Sequence, residues 1–181
     1  MPHMTCVKCE KKMIPDKSGV WVIRYVAGFA QEIFSADRWK CPVCELKIVA
    51  GFGLIGIGFV NGEFDEYLKA ILASDYGDSW EAINSTYPMS VNTIACCACK
   101  KNMHLSGAAH VLQMFTPEQI PYKLLSATML SCDICGQAAA MPTGTVSEHF
   151  KEDFQRSLDM ASALGKVIVN EYERNYSKNK G

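Results

Sequence analysis

Cys41-Pro42-Val43-Cys44 is the stretch on which the reading of this chain turns. Two thiols three positions apart on a tight turn can take two corners of a tetrahedron around one cation, and a second such turn supplies the other two. Cys6-Val7-Lys8-Cys9 is that second turn, with 32 positions from Cys9 to Cys41. Cys96-Cys97-Ala98-Cys99 and Cys132-Asp133-Ile134-Cys135 repeat the arrangement with 33 positions from Cys99 to Cys132. The spacing predicts two Zn2+ ions per chain, one on Cys6, Cys9, Cys41 and Cys44 and one on Cys96, Cys99, Cys132 and Cys135. Buried apolar cysteine is the duller explanation, and four C-x-x-C turns argue against it. A thioredoxin-type redox pair would need a βαβ context, which follows none of the turns.

The two halves also match outside the cysteines. A shift of 90 puts Cys6 on Cys96, Cys9 on Cys99, Lys11 on Lys101 and Met13 on Met103. A shift of 91 aligns Ser35-Ala36 with Ser126-Ala127, Cys41 with Cys132, Cys44 with Cys135, Gly53 with Gly144 and Phe59 with Phe150. Returning to 90 pairs Glu63-Phe64 with Asp153-Phe154 and Leu68 with Leu158. Ordered matches with single-residue slips indicate a duplicated unit, placed at 1–90 and 91–181.

Within the first unit, Gly19 to Val26 is rich in β-branched and aromatic residues, and Ala27-Gly28 breaks it, which reads as a strand and a turn. Glu32 to Lys40 is the return strand and Ile48 to Phe52 a third. Phe64, Tyr67, Leu68, Ile71 and Leu72 then fall on one helical stripe. A second short helix is expected from Trp80 to Tyr87, ended by Pro88. In the second unit, strands are expected at Ala108 to Phe115 and Tyr122 to Ser131. A longer helix would follow, started by Thr145-Val146-Ser147-Glu148 at capping-box spacing, with Phe150, Phe154, Leu158, Ala161 and Ile168 on one face and Gly165 a weak point. The expected fold is α+β: two zinc-ribbon-like units, each a small antiparallel sheet with a four-cysteine zinc site and a packed helix.

Composition sets limits on function. The 49% hydrophobic content is ample for a packed core. Nine cysteines would suit a secreted disulfide framework, but Met1-Pro2-His3-Met4-Thr5 has no charged-then-apolar signal, so a reducing, cytoplasmic location is expected. The apolar run Ile48 to Val60 is too short to span a bilayer as a helix, so no membrane partner is expected. Within it, Leu54 to Val60 is either a buried strand or a surface for a partner or a homo-oligomer. Formal net charge is −1, and eight ionised cysteines with two divalent ions would carry it to about −5. That balance runs against bulk attraction to nucleic acid.

Individual residues add detail. Cys97 is an extra thiol where the first unit has Val7, a buried side chain first and an oxidation-sensitive group second. Lys8, Lys11, Lys12, Lys100 and Lys101 crowd two of the turns, where a zinc ion on four thiolates, of formal charge −2, attracts them locally. Trp21, Tyr25, Phe34 and Trp39 read as sheet core, with a base-stacking surface as the alternative. His3, His104, His110 and His149 are not needed as ligands, since each unit already has four thiols. Asp75, Asp78 and Glu81 lie near the end of the first helix, where capping and solvation account for them.

Met4-Thr5-Cys6-Val7-Lys8-Cys9 and Asp37-Arg38-Trp39-Lys40-Cys41-Pro42-Val43-Cys44 resemble the knuckles of rubredoxin. That resemblance implies iron and electron transfer as an alternative to zinc. It departs from rubredoxin where Glu10 and Glu45 stand after the second cysteine in place of glycine, with only Gly136 matching. Phe34 to Cys44 followed by Ala50-Gly51-Phe52-Gly53 is similar to small uncharacterised zinc-ribbon proteins of phages and prophages. This resemblance implies fold, zinc and a viral origin, with the host cytoplasm as location.

A closed four-sulfur shell leaves no position for a reacting water, and no acid, base and nucleophile stand out. The expected function is therefore non-enzymatic: a zinc-binding module for protein–protein interaction, in the phage case acting on a host component. A nucleic-acid-binding ribbon and a rubredoxin-like electron carrier are the alternatives.

Overall fold

The computed structural model describes residues 4–53, 56–58, 62–73, 78–90, 92–106, 110–116, 118, 120–148, 151–163 and 167–171. Its first half contains β1 (Thr5–Cys6), β2 (Lys11–Lys12), β3 (Ile14–Val26), β4 (Phe29–Lys40), β5 (Lys47–Ala50), β6 (Ile57–Gly58), α1 (Phe64–Leu72) and β7 (Trp80–Asn84). The second contains β8 (Ile94–Cys96), β9 (Lys101–Asn102), β10 (His104–Leu105), β11 (His110–Phe115), β12 (Pro121–Ser131), β13 (Ala138–Glu148), α2 (Phe154–Ala163) and β14 (Val167–Glu171). Among the described residues no helix is long and apolar enough to cross a membrane.

The dominant local structure is the β3–β4 hairpin. Ala27 and Gly28 both take positive φ, 50° and 86°, the two-residue turn whose twist suits a hairpin and sets Val26 opposite Phe29. Gly51, at φ 72°, ends β5 by leaving the extended region.

Strand order corrects the expectation of small separate sheets. In the first sheet β3, β7, β9, β8, β5 and β4 are neighbours in turn, and β4 pairs back to β3, so six strands close into a barrel. In the second, the hydrogen-bonded path is β14-β11-β12-β13-β1-β2, with β10 extending the β11 edge of β12; β2 and β14, the two ends, lie side by side. The described residues are mostly β, with two short helices among them.

Each barrel is finished by the other half of the chain. The β8–β9 hairpin docks on β5 of the first half through Ile48↔Cys96, Val49↔Ala95 and Ala50↔Ile94. The β1–β2 hairpin docks on β13 through Thr5↔Ala140 and Cys6↔Ala139. Matching backbone bonds extend both junctions: Cys97 N–H donates to Lys47 O at 3.1 Å and Val7 N–H to Ala138 O at 3.0 Å. Exchange has a physical reason, because β5 and β7, or β13 and β14, would otherwise leave unpaired sheet edges. The chain crosses between barrels at Met13 and Met103, both buried. The expected boundary at residue 90 lies between β7 and β8, and strand pairing crosses it in both directions.

One expected helix is a strand instead, and another is shorter than expected, with strand at both of its expected ends. Trp80–Asn84 is β7, parallel to β3 with Trp21↔Trp80 and Val22↔Glu81, because completing a barrel overrides local helical propensity. Thr145 to Glu148 belongs to β13; α2 is confined to Phe154–Ala163, and Ile168 lies in β14, parallel to β11. Glu148, expected as the acidic partner of the capping box, instead pairs with Lys123 at 2.8 Å. The helix expected on Phe64 to Leu72 is present, and packs Phe64 and Ile71 against Ile23 and Ile33 outside the first barrel. Of the run Leu54 to Val60, Ile57–Gly58 pairs with β4 at Ile33 and Glu32; positions 54, 55, 59 and 60 lie outside the described residues.

The apolar core is divided accordingly. Val22, Phe34, Ala36, Val49, Phe52, Ile83 and Ala95 pack together in the first barrel, and Leu112, Ala127 and Ala140 in the second. A third cluster contains Met4, Met13, Trp39, Leu46, Ile48, Ile94, Met103, Leu130 and Ala139 with thiols of both C-x-x-C sets, joining residues of the two barrels. Phe34 and Trp39 are thus core, and Trp21 and Tyr25 pack half-buried near α1.

Candidate metal centres

Cys6 and Cys9 flank the turn of the β1–β2 hairpin, which belongs to the second barrel, and Cys41 and Cys44 flank the β4–β5 turn of the first. Cys96 and Cys99 in the β8–β9 hairpin of the first barrel face Cys132 and Cys135 in the β12–β13 turn of the second. In each group the four Sγ atoms lie within 4.8 Å of one another. Each group therefore joins one barrel to the other.

The sulfur geometry fits a tetrahedral ion. Metal–sulfur bonds near 2.3 Å require an S···S edge of about 3.8 Å. Cys6 Sγ and Cys44 Sγ are 3.7 Å apart, and Cys96 Sγ and Cys135 Sγ 3.9 Å; all eight cysteines are unlinked. Four thiolates so arranged suit Zn2+ or iron. In each pair the first cysteine is buried and the second lies nearer solvent.

The turns share one backbone device. The residue after the second cysteine is left-handed in all four: Glu10 at φ 53°, Glu45 at 57°, Lys100 at 55° and Gly136 at 67°. The turn needs this conformation because the chain must fold back after the second ligand. Glu45 N–H donates to Cys41 O at 3.1 Å and Gly136 N–H to Cys132 O at 2.8 Å, closing equivalent loops. The sulfur receives backbone donors as well: Val43 N–H lies 3.4 Å from Cys41 Sγ. Glutamate and lysine thus adopt the shape for which glycine is the easier residue.

Electrostatics distinguish the thiols. Without a cation, burial and then the neighbouring Cys41 and Cys44 push the Cys6 thiol up to about 12. Burial followed by Cys135 and Cys132 does the same to Cys99, again to about 12. Burial also acts on Cys41 and Cys132, but backbone N–H groups of Cys44 and Val43, and of Cys135 and Ile134, outweigh it and leave both thiols below their ordinary value. A divalent ion reverses the mutual suppression and holds all four as thiolates.

Cys97 stands apart from these groups. It packs against the first-barrel core of Val22, Phe34 and Ala36, and burial, then the charge of Glu81, pushes its thiol up. Its neighbourhood contains a charge cluster that sequence reading missed. Arg38 Nε donates to Asp16 Oδ2 at 2.6 Å, and Nη1 donates to Glu81 Oε1 at 2.9 Å and to the Asp78 carbonyl at 3.0 Å. Glu81 is thereby an ion-pair partner rather than a helix-end solvating group. The signal was the alternation Phe34, Ala36, Arg38, which puts the arginine in phase with core residues.

The remaining expected residues are dispersed. Lys8 and Lys100 are exposed beside their turns, and Lys11 and Lys12 are half-buried in β2. His104 Nε2 lies 3.5 Å from Asp133 Oδ2, between the second pair of ligands. His3, His149 and Asp75 lie outside the described residues, as does the side chain of His110. A cleft of about 300 Å3 separates the ends of β3 and β7 from the Cys132–Cys135 turn; Tyr25, Asn84, Tyr87, Lys101, His104 and Ile134 line it. No protein-family model, curated protein or solved structure matches this chain.

Proposed function

We propose that the protein is a non-enzymatic zinc-binding module, built from a duplicated unit, whose two ions hold two barrels in one arrangement so that they present a surface to a protein partner. The observation that carries this reading is the completeness of the two four-cysteine groups: each takes two thiols from either barrel, so the ion's whole coordination is used in joining them. Support for a duplicated unit comes from the common order of strand pairings in the two sheets. The cleft supplies the partner surface. Tyr87 and Ile134, both well exposed, are its apolar anchors, and Lys101, His104 and Asp133 its polar rim, the anatomy of a transient protein interface. A phage zinc-ribbon origin, with a host protein as partner and the cytoplasm as location, accords with this reading.

Metal analysis of the purified protein is the first test. Two zinc ions per chain and no visible colour support it. Affinity capture with the wild type, Tyr87→Ala and Ile134→Ser then tests the surface: a protein retained by the wild type and lost from both variants at unchanged zinc content is the expected result. Equal capture by all three would move the partner site elsewhere. A second reading, electron transfer by iron, draws on the N–H···S contact at Cys41 and the left-handed residue after each second cysteine. Iron with visible charge-transfer absorption would replace the zinc reading.

A further inference from the structure

Each four-cysteine group spans the same pair of barrels, and this arrangement has a thermodynamic consequence. We propose that the two metal sites are positively coupled: loading either one raises the affinity of the other. The inference rests on reading both groups as metal sites.

The route of coupling is the shared interface. For the Cys6, Cys9, Cys41, Cys44 group to close around an ion, the β1–β2 hairpin of the second barrel must lie against the β4–β5 turn of the first. For the Cys96, Cys99, Cys132, Cys135 group, the β8–β9 hairpin of the first barrel must lie against the β12–β13 turn of the second. Both closures demand one relative placement of the same two bodies. The apolar cluster between them holds ligands of both groups, Cys6, Cys41, Cys96 and Cys132, with Met13, Trp39, Met103 and Leu130. An ion at one group orders this layer and brings the four distant sulfurs into register. The second ion then meets a formed site, and the ordering cost has already been met by the first. Linkage makes the effect reciprocal.

Two separate zinc-ribbon units would behave differently. There, all four ligands of each site would belong to one body, and filling one site would leave the other unchanged. The hairpin exchange creates the coupling. Its consequence is a switch-like response, in which the protein passes from metal-free to doubly loaded over a narrow range of free zinc.

Native mass spectrometry of the wild-type chain during zinc titration is the direct test. At half saturation two equal, independent sites leave roughly half of the chains with one ion, whereas positive coupling depresses that species well below this share. A second measurement uses Cys41→Ser/Cys44→Ser. The remaining site, titrated against a chromophoric zinc chelator, is expected to bind about 5- to 150-fold more weakly than the wild type's second ion. Lys69→Ala, exposed on α1 and outside both groups, is the control and leaves the wild-type titration pattern unchanged. A one-metal species at or above the independent share, with unaltered affinity in the double variant, overturns the coupling while leaving two zinc sites in place. Binding of fewer than two ions by the wild type overturns the metal reading on which it depends.

Discussion

Cys97 and Val7 occupy the same place in the two barrels, each just beyond a hairpin ligand and each packed on a barrel core. Their neighbours differ as a set. Arg38 in the first barrel corresponds to Met129 in the second, Asp16 to Ser106, and Glu81, opposite Val22, to Ile168, opposite Leu112. Cys97→Val should therefore leave zinc content unchanged and stability within about 1 kcal/mol of the wild type, since it nearly conserves volume; metal analysis and denaturant melts decide. Arg38→Met alone should cost about 3 kcal/mol, because it takes the ion-pair partner from Glu81 and leaves Asp16 with only the longer contact to Lys40. Adding Asp16→Ser and Glu81→Ile, the residues of the other barrel, should recover most of that loss. The Arg38 partnership also has a pH signature. Burial pushes the Asp16 carboxyl up, but the hydrogen bond and charge of Arg38 outweigh it and hold it below its ordinary value. A depressed folded pKa contributes stability above the unfolded value that is lost as pH falls through the folded one. Wild-type stability should thus decline as pH falls below about 4, and this Asp16 contribution should shrink in Arg38→Met, where Lys47 and Lys40 alone still favour the carboxylate.

Among the elements, the two short knuckle hairpins matter more than their length suggests. With two residues in each strand, β1–β2 has little stability of its own, and its pairing partner is β13, more than half the chain away. Removing residues 1–12 should therefore open the second barrel first. Hydrogen exchange is expected to show lost protection at Ala138 and Ala140, whose backbone faces the missing hairpin, with the central β3–β4 ladder protected longer. Loss confined to residues 14–50 would contradict the exchanged pairing. The parallel strands β7 and β14 follow the same logic: each returns from a helix to the edge of a hairpin and forms the parallel side of its barrel. Right-handed return through a covering helix is the usual way to make such a connection.

For the whole molecule, the proposed metal ions are the clasp between bodies. Zinc bound by four thiolates contributes folding free energy on the order of 10 kcal/mol per site, so stripping both ions should remove cooperative unfolding of the joined protein. Trp39 reports on this, being buried in the cluster between the two four-cysteine groups. Chelation is expected to shift tryptophan emission to the red, with the change largely absent in Trp39→Phe. Zinc readdition should reverse it. Acid should act in the same direction as chelator, since ligands must lose their protons to bind the ion.

The two four-cysteine groups that come together, the β3–β4 hairpin and the α1 stripe were all legible by reading along the chain. They depend on local spacing: three positions between thiols on a turn, two between side chains on one strand face, three or four on a helix. Tertiary structure decided the rest. Trp80–Asn84 has a helix-compatible sequence and becomes a strand because a barrel edge offers it backbone partners that no local signal encodes. Arg38 is in phase with core residues along β4, but its partners are set only when Asp16 on the paired β3 and Glu81 on β7 are brought beside it. Above all, spacing alone groups Cys6 and Cys9 with Cys41 and Cys44 without saying which barrel each pair belongs to. That choice is made by sheet edges, which are satisfied equally well by a hairpin from either half, so it depends on long-range pairing rather than on any residue's own preference.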